Sequence, residues 1–161
     1  MPHSFRRALI GAALSLVLAG PGHAQSFASK FTTEQVRRVA LAGPAAPFKT
    51  AEVIKLANGN PVAVLITPGG VVVSVFGWTC ASTGCEEARL LATVSPPAGT
   101  NRHQLVDRFN EQPRWAAAYV DGDKVTLRGS LFYSDGISDA NLAQYLASMA
   151  HHAARLAAGQ S

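Results

Sequence analysis

The chain has 161 residues, 48% of them apolar and only 15% charged, which excludes a disordered chain and supports a buried core. Its formal charge of +4 includes Arg6 and Arg7 of a predicted leader. The remainder carries 12 basic and 10 acidic residues, or +2, with no basic cluster, so the electrostatic footprint of a nucleic-acid or anionic-lipid binder is missing.

Met1 to Ala24 reads as a cleavable signal peptide. Arg6 and Arg7 form the positive zone, Ala8 to Gly20 the apolar run, and Gly22-His23-Ala24 places small residues before the cleavage site. The apolar run has 13 residues, whereas a membrane-spanning helix needs about 20. No stable anchor is therefore expected after processing. Gln25 to Ser161, 137 residues, suits one domain. Export places it in an oxidising compartment, periplasmic or secreted.

In the exported part, Thr32 and Gln35 have capping-box spacing, and Val36, Val39 and Ala40 share one face of a short helix. Gly43-Pro44 is expected to end it. Glu52 to Ala57 and Val62 to Thr67 read as strands joined at Asn58-Gly59, a pair that tolerates positive φ. Pro68-Gly69-Gly70 turns the chain into a strand over Val71 to Trp78, and Ala88 to Val94 reads as a fourth. These unbroken apolar runs predict central strands covered on both faces.

Ser95 to Thr100 is a loop. Asn101 caps a second helix with Leu105, Val106 and Phe109 inward, and Pro113 stops it. Trp115 to Val120 and Val125 to Tyr133 form a strand pair around Asp121-Gly122. Ser138 caps a last helix whose Leu142, Tyr145, Leu146, Met149 and Leu156 keep a helical apolar spacing. The order α-β-β-β-β-α-β-β-α predicts a mainly antiparallel α+β domain.

Cys80 and Cys85 are the only cysteines. Hairpin spacing and an exported chain predict a structural disulfide between them. The alternative is a redox or metal-dependent protein built on the same pair. Redox pairs usually show C-x-x-C at a helix start, and His103, His151 and His152 lack metal-ligand spacing. The two C-terminal histidines read as an exposed turn suited to imidazolium.

Ser74, Ser82, Ser95 and Ser130 have no nucleophile-elbow glycines around them. Glu86-Glu87 reads as a solvated strand start and Asp121/Asp123 as a turn, so no catalytic set and no cofactor motif is assigned. Trp78, Phe109 and Trp115 read as core.

The order of motifs resembles the YbjN-domain family, whose members carry the label of bacterial sensory transduction regulators. The carrying residues are Phe76-Gly77 with Cys80-x4-Cys85, Val106 to Asn110, Arg114-Trp115, Ala118 to Asp123, Gly136-Ile137 and Asn141-Leu142. Asp107 and Asp135 depart from it, standing where the family tends to have Asn and Gly. The resemblance runs from about Thr32 to Leu156, implies a fold like that of type III secretion chaperones, and supplies no catalytic residue.

The expectation is an exported, non-catalytic domain that binds a protein, peptide or small ligand. The Thr32 helix offers too little apolar surface to cover the sheet. An exposed apolar patch is therefore expected on or beside Val62 to Trp78, with Val71, Val73, Val75 and Trp78 as its binding residues. A homodimer is one way to cover it.

Overall fold

The computed structural model describes residues 27–42, 46–82, 84–112 and 114–161. The predicted leader, Gly43-Pro44 and Pro113 lie outside the described residues. In chain order the elements are β1 (Phe27–Ala28), α1 (Thr33–Ala40), β2 (Thr50–Lys55), β3 (Pro61–Ile66), β4 (Val72–Ala81), β5 (Gly84–Val94) and α2 (Arg102–Asn110). They continue with β6 (Ala116–Asp121), β7 (Lys124–Phe132), β8 (Ile137–Ser138) and α3 (Asp139–Ala157). The predicted order is present, with two short strands added. β1 and β8 pair with each other, Phe27 opposite Ser138.

Each helix starts where a side chain can accept a free backbone N–H. Thr32 accepts from Gln35 at 3.2 Å, Asn101 from Gln104 at 3.1 Å and Ser138 from Asn141 at 3.1 Å, each cap contributing about 1 kcal/mol. The predicted capping box at Thr32 is only half made. The Gln35 amide donates instead to Asp139 at 3.0 Å, which joins α1 to the start of α3. Arg38 also pairs with Asp139, and these two donors hold its carboxyl below the usual aspartate range. At the β2–β3 turn, Gly59 takes φ +81°, a conformation glycine adopts without steric cost.

The main sheet has six antiparallel strands in the order β2-β3-β4-β5-β7-β6. One cross-strand row runs Ala63, Val75, Leu90, Gly129, Ala116, and another runs Ala92, Leu127, Ala118. All of these are buried. Successive strand residues alternate between faces, so these rows place the core on a single side of the sheet.

All three helices close that side. α1 lies against β2, β3 and β4, α3 against β4, β5 and β7, and α2 against β6 and β7. Leu142, Leu146, Met149 and Leu156 of α3 are fully buried, each contributing roughly 1.5–3 kcal/mol relative to exposure.

The expectation of strands covered on both faces is therefore corrected. Among the described residues no helix packs on the second face. An apolar run without alternation cannot show whether its second face meets another layer of the same chain.

At the β6 edge the Asn110 side chain donates to the Ala118 carbonyl and accepts from the Ala118 N–H, both at 2.9 Å. The end of α2 thus takes the place of a neighbouring strand there.

Candidate functional site

The open face is built by one parity of each strand. Its central row is Ile54, Val62, Phe76, Arg89, Ser130, and the next is Trp78, Glu87, Phe132. A third row runs Glu52, Val64, Ser74, Leu91, Arg128, Ala117. Phe132 is 67% exposed and Trp78 46%, with Ile54, Ile66, Val72 and Tyr119 also exposed. Exposed apolar surface of this breadth on a water-facing sheet is of the kind that interaction sites carry.

The charges in the middle of this face are already paired. The Arg89 guanidinium lies 3.5 Å from the centre of the Trp78 ring, a cation–π contact. Its Nε donates to Glu87 Oε1 at 3.2 Å, and the Ser130 hydroxyl donates to the same oxygen at 2.8 Å. A partner covering this cluster would meet aromatic surface and satisfied polar groups. Trp, Arg and Phe in that arrangement are the residue types that anchor protein interfaces.

Of the predicted binding residues, only Trp78 lies on this face. Val73 and Val75 are 0% exposed and point into the helix-covered core. Val71 precedes β4 and is half-buried against the core. The predicted set mixes two parities of one strand, and parity decides the face. The large exposed hydrophobic residues of β4 are Val72 and Trp78, with Phe76 half-buried beside them. Trp78 is likewise not a core residue. Phe109 is, and Trp115 packs half-buried with its indole donating to Ser148 at 3.1 Å.

Cys80 and Cys85 face each other across the β4–β5 hairpin and form a disulfide. The hairpin strands thus continue past the predicted ends at Trp78 and Ala88. Both sulfurs pack over Gly77, beside a cleft of about 270 Å³ lined also by Phe31, Thr33 and Pro61. Phe31 donates its N–H to the Cys85 carbonyl at 2.9 Å, tying the segment before α1 to the hairpin tip.

The other candidates are dispersed. His103 is exposed near the start of α2, and Asp121 and Asp123 are exposed around the β6–β7 turn. Glu86 pairs with Lys30 at 2.9 Å, while Glu87 belongs to the open face. His152 overturns the expectation of an exposed imidazolium. It is half-buried, 3.0 Å from Arg114 and edge-on to Phe109 at 5.5 Å. Burial first, and then the neighbouring positive charges, lower its pKa below the usual histidine value.

Arg89 and Phe132 are not singled out by the sequence, and Glu87 and Phe76 stand there only as a strand start and a family motif. The available signal was the two-residue alternation Glu87, Arg89, Leu91, which sets polar groups on one parity of an otherwise apolar strand.

The family model YbjN, described as "Putative bacterial sensory transduction regulator", matches residues 51–159. No curated protein matches the chain. Among solved structures the chain is similar to the Yersinia pestis type III secretion chaperone SycH, solved in complex with a stable fragment of YscM2. That alignment has 18% identity, covers 65% of this chain and 86% of the other, and has a TM-score of 0.48. With the family model spanning most of its length, the chain belongs to the YbjN family.

Proposed function

We propose that this YbjN-family chain is an exported, non-catalytic binding protein that recognises a protein partner through the open face of its sheet. The observation that carries the reading is the Trp78–Arg89–Glu87–Ser130 cluster within exposed apolar surface. Desolvating a charge without a partner costs several kcal/mol. Here the central charges are internally compensated before any partner arrives. Flat aromatic and aliphatic surface suits protein better than a small polar ligand, which needs a concave pocket to be enclosed.

Export rests on the three zones of Met1 to Ala24 and accords with a disulfide-linked cysteine pair. We place the working protein in the periplasm or outside the cell, beginning at Gln25. Intact-mass analysis of the exported protein tests this point. A mature mass that retains Met1 to Ala24 refutes it.

A benzophenone photoprobe replacing Phe132 tests the binding face. In the exported chain it should crosslink to protein, whereas the same probe at Asn58, on the exposed β2–β3 turn, should not. Equal crosslinking from both positions, or none from either, overturns the reading.

A further inference from the structure

Resting on the reading that the open face binds protein, we propose that the partner is a second copy of this chain. The copies stack open face to open face about a two-fold axis that runs along the strands between β4 and β5. Three features of the face lead there.

The first is size. Six strands at about 4.8 Å spacing and lengths of roughly 20–30 Å give a face on the order of 600 Å². A standard interface takes roughly 800 Å² from each partner, so a whole sheet face meeting its equal approaches what a stable dimer needs. Two stacked sheets also form the ordinary β-sandwich arrangement, with strand directions within about 30°.

The second is the state of the central charges. The Glu87 side chain is 13% exposed and that of Arg89 25%, and they bond to each other. Stacking a second sheet on them leaves no new unpaired charge.

The third is the charge order along one row. Glu52, Val64, Ser74, Leu91, Arg128, Ala117 lie side by side across all six strands, with an acid near one end and a base near the other. Glu52 and Arg128 are both exposed, and neither forms an ion pair among the described residues. A two-fold axis between β4 and β5 reverses the row. It lays β2 over the partner's β6 and β3 over the partner's β7, bringing Glu52 beside the partner's Arg128 twice per dimer. Read backwards, the row is its own electrostatic complement, as an isologous interface requires.

Sedimentation of the full exported protein over roughly 1–100 μM should show a concentration-dependent dimer. Glu52→Arg and Arg128→Glu should each weaken it by about tenfold or more, and the double variant E52R/R128E should restore it to within about threefold. Both positions are exposed, so the variants should keep the circular dichroism spectrum of the wild type. A double variant as weak as the singles overturns the arrangement. So does a dimer indifferent to these changes and to Trp78→Glu. A wild-type monomer at the highest concentration overturns the second-copy partner. In that case, crosslinking from position 132 to a different protein leaves the binding reading intact, and no crosslink removes both.

Discussion

The space that a side chain on Gly77 would need is filled by the Cys85 sulfur. A Cβ built on Gly77 would stand 2.2 Å from Cys85 Sγ and 3.0 Å from Cys80 Sγ. The glycine is thus part of the disulfide's packing, two residues before Thr79, whose φ of +52° makes it the one non-glycine residue in the left-handed region among the described residues.

Gly77→Ala should therefore destabilise the protein by about 1–3 kcal/mol, the range for overpacking a filled site. It should also slow closure of the disulfide, seen as a larger fraction of labelled thiols after refolding. Urea denaturation with thiol counting measures both. A variant with unchanged stability and full disulfide closure would show that the sulfurs do not occupy that space.

Replacing both Cys80 and Cys85 by Ala should cost about 2 kcal/mol, because the bond closes a short loop and constrains the unfolded chain modestly. The fold should persist, since the core residues of the helix-covered face do not depend on the bond. Circular dichroism and a denaturation curve of the double variant check this. An unfolded variant would contradict it.

Asn110 substitutes for a strand at the β6 edge through both backbone groups of Ala118. Asn110→Ala removes both part-buried bonds and should cost about 1–2 kcal/mol. Asn110→Asp should not rescue it, because a carboxylate cannot donate to the Ala118 carbonyl. Hydrogen exchange at the Ala118 amide should accelerate in both variants. An unchanged exchange rate would deny the bond its role.

His152 has a folded pKa below its unfolded value, with burial the main cause and Arg114 next. For a depressed histidine the unfolded state takes up the proton first. Its stabilising contribution is fully present above about pH 6.5 and is lost as pH falls through that value towards the folded pKa. Wild type should thus lose more stability than His152→Gln between about pH 8 and pH 5, as read from paired denaturation curves. Parallel pH profiles would refute the assignment.

Much of the fold was legible in the sequence because its signals are local. Thr32, Asn101 and Ser138 cap helices since each needs only a backbone donor three residues ahead. Asn58-Gly59 and Asp121-Gly122 turn the chain at the expected places, and two lone cysteines at hairpin spacing can meet only each other. The six long strands and three helices follow from such patterns, apart from shifts at their ends. β1 and β8 were not legible, because two-residue strands carry no period and exist only through their pairing with each other.

The candidate site belongs to the other class. Val71 to Trp78 is apolar on both parities except at Ser74, and one small serine is a weak sign of which set of alternate residues meets the helices. The sheet is one layer deep on the helix side, and that decision is made by where α1, α2 and α3 pack. Once Val73 and Val75 are buried beneath them, strand alternation forces Phe76 and Trp78 outward, beside Arg89 of the same hairpin and Phe132 from a strand distant in sequence. Sequence alone therefore determined the elements, their caps and the cysteine pair, each set by neighbours along the chain. Only tertiary packing decided which face of the sheet stays open, because that choice depends on contacts between elements and not on any one strand's composition.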